Sequence, residues 1–343
     1  MPGAIAMGTF LAVARNTTKR LRIASLNFPE TADLHLQSSY SKTGPEWFNY
    51  PLGVLDHLLQ NELSISGLDL LYYGNLPIGA GLSSSASIEV LTAFAVNKLF
   101  GLNLSLKDIA ILSKEAENRF VGVNCGIMDQ FAVAMGKKDH AIWLDCDTLE
   151  YEYLPFRTGS FSLVIINSNK QRTLAGSKYN ERFAECGTAL KLLKQELPVS
   201  NLAEVDLATF EQYRYLINSS VLEKRALHVV SETQRVKDAV IALQTNDLRV
   251  FGQLMYASHE SLRNLYEVSC GELDTIIDFC STFPGCIGAR MTGAGFGGCA
   301  IALVNKLDMP EFSKELRANY RSNFDYLPPI IETTITDGVK QLK

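Results

Sequence analysis

Apolar positions recur along this chain with two different periods. Runs that alternate apolar and polar residues, such as TFLAVARN, RLRIASLNF and LDLLYYG, predict half-buried strands, because successive strand side chains point to opposite faces. Between them, EWFNYPLGVLDHLLQNEL carries the three- and four-residue spacing of an amphipathic helix. Val90, Leu91, Phe94, Ala95 and Leu99 repeat that spacing, and Gly101 ends the run. Ser105 and Asp108 form a capping-box pattern that opens a further helix through Arg119. CGIMDQFAVAMG then predicts a short helix, and HAIWLDC and FSLVIINS predict strands. From about Asn167 the pattern turns helical, over Ser177–Leu197, Leu222–Leu243 and Asp247–Leu265. Strand signals return in GARMTGAGFGGCAIALV and PIIETTIT, either side of a last helix at Glu311–Asn319. The mixture excludes an all-helical protein. It predicts two α+β lobes, 1–165 and 166–343, with a ligand site in the cleft between them.

Length agrees with two lobes, since 343 residues exceed the roughly 150 expected of one domain. At 47% hydrophobic and 20% charged residues the composition is that of an ordinary globular protein, and a net charge of −5 argues against a nucleic-acid surface. The apolar start MPGAIAMGTFLAVA has no basic residues before it and reads as a strand rather than a secretory leader. Nowhere do about 18 apolar residues run together, so no membrane span is expected. The seven cysteines are scattered and form no CxxC, which points to reduced thiols in the cytoplasm rather than disulfides or zinc. The five histidines form no metal-binding pair.

Two glycine-rich stretches carry the candidate chemistry. In LPIGAGLSSSASIEV three serines follow two glycines where a helix should begin. One serine suffices for an N-cap. Several, behind glycines that let the backbone approach a ligand, also suit an anion held by the free N–H groups of a first turn. The second stretch, GAGFGG at Gly293–Gly298, satisfies the GxGxxG dinucleotide pattern, but the strand-like CAIALV follows it where that fingerprint requires a helix. The serine loop lacks the lysine of GxxxxGK[ST], so a Walker A phosphate loop is excluded as well.

PIGAGLSSSAS resembles the second signature of the GHMP small-molecule kinases, MTGAGFGGCA resembles the third, and AENRFVGVNCGIMDQF resembles the stretch distinctive of galactokinases. The likeness runs on through VIINSN and SKYNERFAEC and so covers essentially the whole chain. It implies an α+β, two-lobed GHMP fold and transfer of the γ-phosphoryl group of ATP to the C1 hydroxyl of α-D-galactose. Carried over residue by residue, Gly79, Ala80, Gly81, Leu82, Ser83, Ser84 and Ser85 would cradle the ATP phosphates, and Trp47 and Tyr50 would line the adenine side. Ser83 and Glu117 would hold Mg²⁺. Asp129 would be the catalytic aspartate that orients the sugar hydroxyl and accepts its proton, with Gly126 and Tyr179 against the sugar. Ala294 stands where the family commonly has glycine.

The resemblance has one gap. The family's first signature lies upstream of the segment that matches MPGAIAMGTF, and with it an arginine beside the catalytic aspartate, several sugar-binding groups and a strand of the N-terminal lobe. The chain as it stands is therefore expected to be truncated, with an exposed sheet edge and an impaired sugar site. Two alternatives stay open: a non-catalytic galactose or ATP sensor of the same fold, and another GHMP sugar kinase. The intact serine loop and GIMDQ favour the galactokinase, acting as a cytoplasmic monomer on small molecules without nucleic-acid or membrane partners.

Overall fold

The computed structural model describes residues 1–61, 65–77, 81–170 and 175–342. The chain divides into two compact units. The first comprises Met1–Ile78, Ser83–Tyr153 and Thr334–Lys343; the second comprises Gly79–Leu82 and Leu154–Thr333.

In the first unit, β1 (Thr9–Asn16), β2 (Arg20–Ser25), β3 (Ala32–His35) and β4 (Gly67–Gly74) form one sheet in the order β1-β4-β2-β3. β4 pairs antiparallel with β1 and parallel with β2. Alternation decides which face is buried: Leu68, Leu70 and Tyr72 turn inward, while Leu71 and Tyr73 are exposed. Each fully buried side chain of this kind stabilises the fold by roughly 1.5–3 kcal/mol. The outward face is mixed, with exposed Phe10 of the edge strand β1 stacked on Tyr73 and Arg22 paired to Asp69 at 2.6 Å.

The inward face packs into a core with α1 (Asn49–Gln60), α2 (Ser84–Phe100), α3 (Leu106–Ala116) and α4 (Met128–Met135). The capping box read from the sequence is present: Ser105 Oγ accepts from the Asp108 amide, and Asp108 accepts from the Ser105 amide. Past Ala116 the helix widens into a π turn over Glu117–Val121, and Gly122 ends it at φ +84°. β5 (His140–Leu144) and β6 (Tyr151–Pro155) form a two-stranded sheet. The C-terminal residues return to this unit, where Ile335 bridges to Ile5 and Val339 N bonds Val133 O at 2.8 Å.

In the second unit an antiparallel sheet holds β7 (Phe161–Asn167), β8 (Cys286–Met291), β9 (Cys299–Asn305) and β10 (Ile330–Thr333) in the order β10-β7-β9-β8. Its helices are α5 (Ala175–Leu193), α6 (Leu207–Tyr213), α7 (Ser220–Gln244), α8 (Leu248–Ser261), α9 (Gly271–Thr282) and α10 (Met309–Arg321). α8 lies so close to β8 that a Cβ at Gly252 would stand 2.1 Å from the Ile287 carbonyl oxygen, so only glycine fits there. Among the described residues no helix is long and apolar enough to cross a membrane.

Candidate active site

The start of α2 is built differently from other helix starts in the molecule. Ser105, Asp206, Ser219 and Asp247 each cap a helix with a side-chain oxygen. Ser83 occupies the same position before α2, yet its side chain makes no capping bond, and its backbone is left-handed at φ +57°, ψ +40°. A non-glycine residue there is strained, and such strain collects where ligands bind. The first-turn amides of α2 thus lack a side-chain cap, with the positive end of the helix dipole behind them. Gly81 reaches this turn at φ +71°, and Ser84 and Ser85 are the first two residues of the helix. Gly79 and Ala80 lie outside the described residues.

Ser85 and Glu89 are four residues apart on α2 and share a face. Glu89 is completely buried. Glu117, at the first position of the π turn, is buried as well. Gln130 of α4 joins them: its Nε2 donates to Glu117 Oε2 at 2.6 Å and to Glu89 Oε2 at 3.3 Å. The Cys125 thiol donates to Glu117 Oε2 at 3.3 Å and to Asn118 Oδ1 at 3.2 Å. Burial, reinforced by the charge of Glu117, pushes the Glu89 carboxyl up to about 10. Burial and Glu117 push the Cys125 thiol up to about 12. Tyr50 of α1 is raised by burial first and then by the charges of Glu117, Glu89 and Cys125. Among the described residues neither Glu89 nor Glu117 has an ion-pair partner.

Asp129 stands in the first turn of α4, half-buried, and its carboxylate makes no hydrogen bond or ion pair among the described residues. A carboxylate at that position is favoured by the helix dipole. Packing does not require glycine at the exposed Gly126, since a Cβ there would meet no atom within 4 Å. Trp47 stacks on Phe28 with ring centroids 6.0 Å apart, meets Tyr72 edge-on, and donates its indole N–H to the Glu30 carbonyl. Tyr179 belongs to the second unit, on α5, where it is 37% exposed and lies near Tyr266.

The glycine loop of the second unit is a hairpin. β8 and β9 pair antiparallel up to Met291 and Ala300, and Thr292 N bonds Cys299 O at 2.9 Å across the loop. A strand follows these glycines, which excludes a dinucleotide turn and agrees with the sequence reading. A Cβ at Gly295 would stand 2.2 Å from the Val268 carbonyl oxygen, so the backbone there admits only glycine.

The structure thus brings Glu89, Glu117, Cys125 and Gln130 together in the first unit. Sequence reasoning missed Glu89, Cys125 and Gln130. Glu89 left a signal, since it occupies an apolar-stripe position of α2 between Ala86 and Ala93. The hard oxygen donors Ser83 and Glu117 suit a divalent cation. No group of three or more His, Cys, Asp or Glu able to hold a metal occurs among the described residues.

Comparison with known proteins bears on this arrangement. The family model of the GHMP kinase N-terminal domain matches residues 49–137, and that of the GHMP kinase C-terminal domain matches residues 239–322. The chain is 45% identical over 342 residues to the galactokinase of Clostridium tetani, covering 99% of this chain and 87% of the relative. It is 46% identical over 344 residues to that of Enterococcus faecalis, covering 99% and 89%. The crystal structure of Lactococcus lactis galactokinase complexed with galactose superposes with a TM-score of 0.95 at 40% identity, covering 98% of this chain and 88% of that one. Methanococcus jannaschii mevalonate kinase, at 20% identity and a TM-score of 0.66, shares the fold.

Proposed function

The chain belongs to the galactokinases of the GHMP kinase superfamily, and from that premise we propose that it phosphorylates galactose at C1 with Asp129 as the proton acceptor. The chain is an ATP-dependent sugar kinase. As the C1 oxygen bonds to the γ-phosphorus and ADP leaves, the hydroxyl proton passes to the Asp129 carboxylate; positioning and charge neutralisation supply most of the catalysis. The observation that carries this reading is that the Asp129 carboxylate is bonded to nothing among the described residues, while its neighbour Gln130 is bonded into the acid cluster.

Ser83, Ser84, Ser85 and the uncapped amides of α2 bind the ATP phosphates in this reading, together with Gly79, Ala80, Gly81 and Leu82. Ser83 and Glu117 hold the cation, for which Mg²⁺ suits the oxygen donors; when bound it neutralises charge on the phosphates. Gly126 and Tyr179 contact the sugar, and Trp47 and Tyr50 line the adenine side. In this reading residues 1–165 and 166–343 serve as the two functional lobes, with the C-terminal Thr334–Lys343 joined to the first compact unit and the chain from Leu154 to the second. The same reading has the enzyme act in the cytoplasm as a monomer, on small molecules without nucleic-acid or membrane partners; the net charge of −5 supports the absence of a nucleic-acid partner.

The test is the product formed from galactose and Mg-ATP. Phosphorus NMR should show phosphate on the anomeric oxygen, with one ADP per sugar consumed. Phosphate on another hydroxyl overturns the C1 assignment, and galactose binding without ADP release returns the chain to the sensor reading.

A further inference from the structure

Gln130 is 1% exposed and immediately follows Asp129. Successive helix residues point about 100° apart, which follows from 3.6 residues per turn. The turn that leaves Asp129 half-buried therefore aims Gln130 at the packing of α4 against α2 and α3. The amide is used there at one end only. Its Nε2 reaches Glu117 and Glu89, whereas Gln130 Oε1 and Glu89 Oε1 are buried without a hydrogen-bond partner among the described residues. Turning the amide over would set its oxygen against Glu117 Oε2, so the short contact with Glu117 dictates its orientation.

An orphaned buried oxygen costs stability that an apolar side chain of the same volume would not. The two donations to buried carboxyl oxygens offset part of that cost, and they also fix where those carboxyls point. The short bond of Gln130 falls on one particular oxygen of Glu117, and groups that orient a metal-binding carboxylate are retained for the direction they give it.

We propose that Gln130 is a positioning residue for phosphoryl transfer, its amide bridging Glu89 and Glu117 so that the Glu117 carboxylate keeps a fixed direction toward the cation that accompanies ATP. Because Gln130 adjoins Asp129, one helical turn then sets the placement of both the proton acceptor and the cation ligand. The inference rests on the reading of Glu117 given above, and its test separates the two.

Gln130→Met keeps the volume and removes the donor. The readouts, on the full chain, are the Kd of Mn-ATP by water-proton relaxation and the Kd of cation-free ATP by calorimetry. Loss of a partner to a metal ligand typically weakens metal binding ~10- to 100-fold. The Kd of Mn-ATP should accordingly rise at least ~10-fold, while that of cation-free ATP stays within about twofold. Glu117→Gln, measured alongside, should weaken Mn-ATP at least as much. If it does and Gln130→Met leaves Mn-ATP unchanged, or shifts both constants together, the inference is overturned and the reading of Glu117 stands. If neither variant affects Mn-ATP, both fall. Should Gln130→Met not fold, Gln130→Asn, which draws the amide back by one methylene, carries the same expectations.

Discussion

The first unit buries three carboxyls without an ion pair among the described residues, Asp56 apart and Glu89 beside Glu117, while the second unit answers its buried charges from within. Arg225, with a side chain 2% exposed, meets Glu185 at 2.8 Å and Glu267 at 2.7 Å. Arg182 reaches Glu185 at 3.0 Å and the Tyr266 carbonyl at 2.7 Å. Glu232 receives Arg235 and Arg290 at 2.7 and 3.3 Å. Buried ions with partners of opposite sign belong to the architecture, because removing one partner leaves an uncompensated charge. Buried acids without such a partner cost stability and are retained where a ligand supplies the missing charge.

The contrast can be broken most forcefully at Arg225. Arg225→Ala should lower the unfolding free energy in urea by about 3 kcal/mol, the low end for a broken buried pair, because Glu267 is 45% exposed. Glu117→Gln in the first unit should instead preserve or raise stability, since it removes a buried acid that no cation pairs with among the described residues. A loss under about 1 kcal/mol in Arg225→Ala would place that network with the weak surface pairs.

Acid should act on the second unit next. His228 is held down at about 4 by burial, with Arg235, Arg290 and Arg225 lowering it further and Glu232 opposing. It stacks on Tyr266 at 4.4 Å and bonds Ser261 at 2.8 Å. Its folded value lies below the unfolded one, so its stability contribution is present above about 6.5 and drains away as pH falls toward about 4. Between pH 7 and 5 the wild type should lose about 2 kcal/mol more than His228→Gln, at about 1.4 kcal/mol per pH unit. Parallel pH profiles for the two proteins would remove His228 from the account.

The smallest effect distinguishes serines used by the fold from those left over. Ser105→Ala removes a working cap and should cost about 1 kcal/mol. Ser83→Ala removes no cap and should change stability by less than about 0.5 kcal/mol while weakening nucleotide binding. Equal losses in the two variants would mean that Ser83 serves the helix after all.

The elements with strong local signals were legible in the sequence. The Ser105–Asp108 box and the stripe of α2 specify their helices locally, and the strand after GAGFGG distinguished a hairpin from a dinucleotide turn. α9 was overlooked although Leu273, Ile276, Ile277 and Cys280 keep helical spacing. The π turn at Glu117 had no signal, because a shift from i+4 to i+5 bonding changes hydrogen-bond register rather than residue type. Nor could the pairing of Ile335 with Ile5 be read, since it joins the two ends of the chain. Glu117 and Asp129 were singled out through the family resemblance alone, whereas Gln130 stands out only through the side chains that surround it in three dimensions.

The central claim is that the unpaired carboxylates of the first unit carry the chemistry, and Asp129 tests it most directly. The measurement is the single-turnover rate of γ-phosphoryl transfer from Mg-ATP to galactose, in Asp129→Asn against the unaltered chain. Loss of a positioned base predicts a rate at least ~10²-fold lower with ATP binding unchanged, whereas a rate within about threefold of the unaltered chain would contradict the account.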